Sequence, residues 1–362
     1  MIRHREALDA IADYVPGRAA GDVAAQYALT NVVKLASNEA PYGPLPAAIA
    51  AVDEAVRGVN RYPDPDTVPL RSALAEKYGV DEEQILVGNG SVELCRLAFA
   101  ATCDPGDEAI FAWPSFEAYP ILAAQVGATA VTVPLVEVRH DLAAMADAVT
   151  DRTCLVFVCN PNNPTGTVVD RAAVDDFLAR VPETCLVVFD EAYREFVTDP
   201  RCPDGLDLLT EHANVAVFRT FSKAYGLAAL RVGYGIARPD VIAALRKVRV
   251  PFGVNGLAQV AALASLAADD EMRGRVDEVI AERARLHDAI AELGVEVVRS
   301  EANFVWLPLG EPSAVLGEYC ERAGVVVRPF AHVGVRVTVG SRAENDRFLR
   351  VLESALEDGA AG

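Results

Sequence analysis

Lys223 is the residue around which the chemistry of this sequence gathers. It ends an apolar run, stands among hydroxyl residues in Thr220-Phe221-Ser222-Lys223, and is followed eight positions later by Arg231. A solvated lysine at a strand tip needs no such company. Lysine forms a Schiff base with an aldehyde, while Thr220, Ser222 and Arg231 supply hydroxyl and guanidinium partners for a phosphate. Three further apolar runs also end in unusual polar groups. Asp190 follows Leu186-Val187-Val188-Phe189, and burying that carboxylate costs several kcal/mol, on the order of the penalty for any desolvated ion, unless a cation meets it. Read alone, an aspartate there is more simply a helix N-cap. Gly88-Asn89-Gly90-Ser91-Val92-Glu93 offers bare amides and a hydroxyl that suit a phosphate at a helix N-terminus; a dinucleotide fingerprint would need glycine in place of Glu93. Asn160-Pro161-Asn162-Asn163-Pro164 makes a rigid turn with projecting amides. Each of these two segments, by itself, is equally an ordinary turn.

An aldehyde for Lys223, a phosphate for the hydroxyls and Arg231, and a protonated ring nitrogen for Asp190 belong together on one small molecule, pyridoxal 5′-phosphate. The four segments, with Tyr14-Val15-Pro16-Gly17, Lys34-Leu35-Ala36-Ser37-Asn38-Glu39, Asn60-Arg61-Tyr62-Pro63-Asp64, Pro251-Phe252-Gly253-Val254-Asn255, Ala302-Asn303-Phe304-Val305-Trp306 and Val335-Arg336-Val337-Thr338-Val339-Gly340, form an ordered series along nearly the whole chain. That series resembles the fold-type I pyridoxal-phosphate-dependent aminotransferases, in the branch that holds histidinol-phosphate and aromatic amino acid aminotransferases. Residues 302–310, 326–330 and 344–346 are more similar to the aromatic, phenylalanine-type enzymes.

The resemblance implies a role for each matching residue. Lys223 would hold the cofactor and shuttle the substrate α-proton. Asp190 would keep the ring nitrogen protonated, and Tyr193 and Asn163 would bond the ring's phenolic oxygen. Gly90, Ser91, Val92, Thr220, Ser222 and Arg231 would hold the phosphate, with Tyr62 reaching it from a neighbouring subunit, which implies a homodimer. Phe116 would stack on the ring. Arg336 would clamp the substrate α-carboxylate through paired N–H···O bonds, although an arginine on an edge strand is ordinarily solvated. Asn38, Arg328 and Tyr14 would touch substrate, and Arg328 is also where histidinol-phosphate enzymes bind a substrate phosphate. Ala40, Val92 and Ala229 depart from the usual residues; Ala229 would add a methyl near a packed turn.

These residues must be positioned by a scaffold, and the pattern supplies one. Seven β-branched or apolar runs, at 84–90, 108–114, 128–135, 154–160, 185–193, 215–223 and 232–237, alternate with helical periods at 92–103, 171–180 and 241–250, which predicts a mostly parallel seven-stranded sheet covered on both faces. A helix should start at Pro44-Leu45-Pro46. Residues 256–293 form a nearly continuous helical pattern, broken around Ala268-Asp269-Asp270 by a stop and an acidic N-cap. Strands are expected at 295–298, 304–308, 325–328 and 335–340. The fold class is therefore α/β, and the resemblance makes it the fold-type I transferase architecture. It divides into an N-terminal segment (1–40) packing with the small domain, a large cofactor-binding domain (41–252), and a bridging helix with a small α+β domain (253–362).

Composition narrows the classes. The 362 residues leave room for about two domains, and 52% hydrophobic with 23% charged residues describes a globular chain. Thirty-three basic against 52 acidic residues give a net charge of −19, which repels nucleic acid and acidic membranes. No apolar stretch reaches the roughly 18 residues of a membrane span, and the opening residues lack a signal-peptide apolar segment, so a cytoplasmic protein is expected. Seven cysteines without C-x-x-C pairs and five scattered histidines suggest buried thiols and no metal site. The expected activity is amino transfer between phenylalanine or tyrosine and 2-oxoglutarate, the alternative being histidinol-phosphate aminotransfer. A cofactor-binding transcription regulator would need a basic DNA-binding module, for which the chain has no spare length. A decarboxylase on the same scaffold would keep the cofactor motifs and break a different α-carbon bond.

Overall fold

The computed structural model describes residues 17–360 together with residues 9 and 11. A short strand, β1 (Val33–Lys34), comes first, followed by β2 (Ile85–Gly88), β3 (Glu108–Trp113), β4 (Thr129–Pro134), β5 (Thr153–Cys159), β6 (Leu186–Asp190), β7 (Val215–Thr220) and β8 (Gly233–Ala237). The last seven form one sheet in the order β2-β8-β7-β6-β5-β3-β4. Only β8 runs against its neighbours. These are the seven expected runs. Most end one to three residues early, because the polar segments at their carboxyl ends leave the ladder.

Side chains alternate across a strand, so a sheet covered on both faces needs apolar residues at every position. Leu155, Phe157 and Cys159 of β5 pack with the helices Ser91–Thr102 and Ala118–Val126, while Val156 and Val158 pack with Leu142–Asp147 and Arg171–Leu178. β6 and β7 divide their residues in the same way. Register then sets the rim. Cys159 lies opposite Asp190, and Asp190 opposite Phe218, which aligns the carboxyl ends of β5, β6 and β7. Gly233, where antiparallel β8 begins, lies opposite both Thr220 and Gly88. The segments holding Gly90, Asp190, Lys223 and Arg231 are thereby brought to one edge.

The remaining strands are β9 (Phe304–Leu307), β10 (Val325–Val326), β11 (Arg328–Phe330) and β12 (Gly334–Thr338). β1 pairs with β10, and β11-β12-β9 form an antiparallel sheet. Arg336 therefore sits on the central strand and is buried, not on a solvated edge. The expected strand at 295–298 is absent. Val298 makes one isolated bridge to Trp306, after which the Glu301 N–H turns to the Gly166 carbonyl at 2.7 Å and the chain leaves the ladder.

The first helix after residue 40 starts at Pro46, its first helical position. The long helical stretch is two helices, Gly256–Ala267 and Asp269–Glu292. The first is capped by Asn255, whose side chain accepts from the Ala258 N–H at 2.8 Å. The break is Ala268 alone, and no acidic side chain caps the second helix. Asp269, Asp270 and Glu271 lie inside its first turn, where carboxylates meet the positive end of the helix dipole. Among the described residues no helix is long and apolar enough to cross a membrane.

A Cβ on Gly233 would lie 2.7 Å from the Ser91 nitrogen and 2.9 Å from the Arg219 carbonyl oxygen. Both are backbone atoms that cannot swing aside. Gly233→Ala should cost about 1–3 kcal/mol, the usual overpacking penalty. Gly21→Ala, in the helix Ala20–Tyr27 with nothing within 4 Å of the new Cβ, should stabilise by about 0.5–1 kcal/mol. Urea denaturation of the two variants checks the pair; equal effects would contradict this packing.

Candidate active site

The strand-end rim and the small sheet enclose a cavity of about 290 Å³. Its wall includes Asn38, Ser91, Val92, Phe116, Asn163, Asp190, Tyr193, Thr220, Ser222, Lys223, Arg231, Arg328 and Arg336, so most of the residues singled out in the sequence meet in one place. Two do not line it. Gly90 stands behind the wall, with φ 79° and a missing Cβ that would lie 2.5 Å from an Arg231 guanidinium nitrogen; only glycine leaves room for that arginine. Tyr62 is 84% exposed, its ring against Phe252 at 4.8 Å. Tyr14 lies outside the described residues. Ala229, expected against a packed turn, is exposed.

Asp190 ends β6 with its carboxylate buried. Oδ2 accepts from the Tyr119 hydroxyl at 2.7 Å, and Oδ1 has no hydrogen-bond partner among the described residues. Burial pushes the carboxyl up to about 6, against the opposing pull of Tyr119 and the Ala192 N–H. The next residue, Glu191, faces the other way, as strand alternation requires. It accepts from Arg219 at 2.9 and 2.7 Å, and Asp204 accepts from the same guanidinium at 2.6 Å. Nothing in the sequence pattern distinguished Tyr119 or this ion-pair network from ordinary core and surface residues.

Lys223 is half-buried and donates to the Ser37 carbonyl at 3.2 Å. Burial first, then the positive charges of Arg336 and Arg231, push its ammonium down to about 7, against the pull of Glu39. A lysine so shifted gives up its proton far more readily than a solvated one, and the neutral amine is the form that attacks a carbonyl. Beside it, Arg231 donates to Ser222 Oγ at 3.2 Å and to the Ala228 carbonyl at 2.8 Å, and the Ser222 N–H donates to Thr220 Oγ1 at 3.1 Å. With the N-terminus of Ser91–Thr102 these groups make a compact cluster of donors suited to a phosphate.

Tyr193 accepts from Asn38 Nδ2 at 2.9 Å and packs edge-on against Phe304, centroids 5.1 Å apart. Asn38 has φ 53° and is held by the Thr338 hydroxyl, which accepts from its N–H at 2.9 Å. Arg336 donates to Asn163 Oδ1 and to the Ala36 carbonyl at 2.7 Å. Arg328 lies directly opposite Arg336 across the β11–β12 ladder, an arrangement that repels unless each finds acceptors. Glu117 provides them for Arg328, both carboxylate oxygens lying 3.0 Å from one guanidinium nitrogen. Glu117 adjoins Phe116 in sequence, yet only its arrival opposite residue 328 marks it as part of the site.

The residues present fit pyridoxal phosphate. The unpartnered Asp190 Oδ1 is a buried acceptor suited to a protonated ring nitrogen, and the lysine, phosphate-type donors and aromatic Phe116 share its cavity.

Residues 30–352 match the family described as aminotransferase class I and II. The chain is 55% identical over 353 residues to an aromatic amino acid aminotransferase of Streptomyces avermitilis, with 96% of each chain covered. It is 54% identical over 351 residues to one of Streptomyces coelicolor, again covering 96% of each. Among solved structures, the histidinol-phosphate aminotransferase of Sinorhizobium meliloti in complex with pyridoxal 5′-phosphate superimposes with a TM-score of 0.91 at 27% identity, covering 99% of this chain and 98% of that one.

The raised Asp190 carboxyl has a stability consequence whose sign is fixed. Its folded value, about 6, exceeds the ordinary 3.8, so the folded state holds the proton longer and loses stability as pH rises from about 4 to about 6. Asp190→Asn in protein freed of small ligands should therefore melt higher than the parent at pH 8. The advantage should shrink as pH falls through 6 and vanish near 4. Calorimetry across this range tests it, and a parent more stable than the variant at pH 8 would refute the uncompensated charge.

Proposed function

The chain belongs to the class I and II aminotransferases, and from that premise we propose that it moves the amino group between an aromatic L-amino acid, phenylalanine or tyrosine, and 2-oxoglutarate with pyridoxal 5′-phosphate as cofactor. The observation that carries the aromatic reading is the pairing of Arg328 with Glu117. A phosphate-bearing substrate would need that guanidinium and would meet the carboxylate's repulsion, whereas an uncharged aromatic side chain leaves the pair intact. The relatives named as aromatic amino acid aminotransferases support the same reading.

When bound, pyridoxal phosphate supplies an aldehyde that takes the amino group and a ring that accepts the electron pair left at the α-carbon. The chain's residues do the rest. Asp190 Oδ1 would hold the ring N–H, and Tyr119, on the other oxygen, keeps that carboxylate oriented. Tyr193 and Asn163 would bond the phenolic oxygen, and Phe116 would cover the ring face. Ser91, Val92, Thr220, Ser222 and Arg231 would hold the phosphate, with Gly90 making room for the arginine. Arg336 would clamp the α-carboxylate, fixing the direction of the α C–H bond. Lys223 Nζ, whose ammonium is pushed down to about 7, would take the α-proton and hold it for return. Asn38, Arg328 and Tyr14 would touch substrate.

The wider organisation follows the same reading. Residues 1–40 and 253–362 would form the small unit around the large domain of 41–252. Exposed Val59, Tyr62, Val250 and Phe252 suit a homodimer interface through which Tyr62 would reach the partner's phosphate. Seven free thiols suit the reducing cytoplasm, and the net charge of −19 disfavours nucleic acid as a partner.

Two measurements test the proposal. Borohydride treatment of protein loaded with pyridoxal phosphate should leave the label on the peptide carrying Lys223, and label elsewhere would refute its role. In a substrate panel, kcat/KM for phenylpyruvate with glutamate should exceed that for histidinol phosphate with 2-oxoglutarate. Glu117→Gln should narrow the gap by about tenfold, or about 1.4 kcal/mol, by freeing Arg328. A parent preference for histidinol phosphate would overturn the aromatic assignment.

A further inference from the structure

Two thiols nearly touch at the opposite edge of the large sheet from the cavity. Cys103 follows the last residue of the helix Ser91–Thr102 and Cys154 is the second residue of β5. Their sulfurs lie 2.7 Å apart, although 51 positions separate them in the chain. A disulfide bond is about 2.05 Å long, so a small movement of either side chain closes the gap. The pair also lies at the margin of the core. Cys103 is 9% exposed and Cys154 half-buried, and the two residues before Cys103 in the chain, Ala101 and Thr102, line a surface groove with Thr184 and Leu186. Cys95 and Cys159, by contrast, are sealed in the core beside Asp190, and Cys320 is buried in the helix Ser313–Arg322.

We propose that Cys103 and Cys154 form a reversible redox disulfide, closed by peroxide-class oxidants and opened by thiol reductants. The hydrogen bond that Cys103 receives from the Cys154 thiol holds it below the ordinary thiol range, which makes Cys103 the attacking sulfur. Its thiolate attacks one peroxide oxygen, the O–O bond breaks, and water leaves once the departing hydroxide is protonated. The Cys154 sulfur then displaces the hydroxyl from the sulfenic acid on Cys103, a second water leaves, and the S–S bond forms. Two thiols are oxidised by two electrons and one peroxide is reduced to two waters.

The bond would pin the far end of the helix whose first turn supplies Ser91 and Val92 to the cavity, without touching a cavity residue. The oxidised enzyme should therefore turn over as before and melt several degrees higher, because the closed loop restricts the unfolded chain. Cys185, which interacts electrostatically with each of the two thiols, is the competing partner.

The test treats the holoenzyme with hydrogen peroxide, blocks remaining thiols with iodoacetamide and maps the peptides by mass. The expected product is a Cys103–Cys154 cross-link lighter by two hydrogens, reversed by dithiothreitol, retained in Cys185→Ser and lost in Cys103→Ser and Cys154→Ser. Alkylation of both thiols, over-oxidation of Cys103 without a cross-link, or a bridge to Cys185 would each overturn the proposal.

Discussion

A carboxylate removed from water and left with one oxygen unpartnered is the constraint on which this site depends. Asp190 reaches its position because β6 is a fully buried strand and the chain continues past the ladder at the rim. Tyr119 satisfies Oδ2, and Oδ1 has no hydrogen-bond partner among the described residues. Burying an ion costs several kcal/mol, in order of magnitude, without a counter-charge. The protein thus carries an electrostatic deficit that a cationic ring nitrogen would relieve. Lys223 carries the complementary deficit, an amine whose proton is loosened by burial and by two arginines. In the proposed reaction, affinity for the cofactor and reactivity toward it would have one source in this arrangement.

The two arginines of the small sheet show how charge is apportioned. Arg328 and Arg336 lie in register on neighbouring strands, and their acceptors differ. Arg336 donates to the Asn163 amide oxygen and the Ala36 carbonyl, neutral groups whose place a substrate carboxylate would take in the proposed reaction. Arg328 is engaged by the carboxylate of Glu117. In the proposed reaction Arg336 would meet the α-carboxylate, and the compensated Arg328–Glu117 end would suit an uncharged side chain. Specificity in this reading rests on a residue that does no chemistry.

The scaffold was legible because a sheet buried on both faces demands unbroken apolar runs, and seven such runs stand out between helical periods. Its errors have local causes. The segment 295–298 has strand-like composition, but Glu301 is drawn to Gly166 and Thr198, contacts more than a hundred residues distant. Arg336 suggested an edge strand because alternation alone cannot tell an edge from a centre; the pairing order decides that. Asp269 looked like a cap because acidic residues favour both the cap and the first turn, and only the backbone angles separate the two.

The amino-acid sequence by itself determined the inventory of chemistry: a lysine, an aspartate, a cluster of phosphate-type donors and a terminal arginine, each placed next to an element whose periodicity is visible locally. Tertiary structure alone decided which charges face one another. Tyr119 beneath Asp190, Glu117 against Arg328, Arg219 held by Glu191 and Asp204, and Cys103 against Cys154 are all meetings between segments separated in the chain. Local periodicity records which side of an element a residue occupies, but the partner it finds there depends on packing between distant segments, and in a low-dielectric interior that partner sets the charge state.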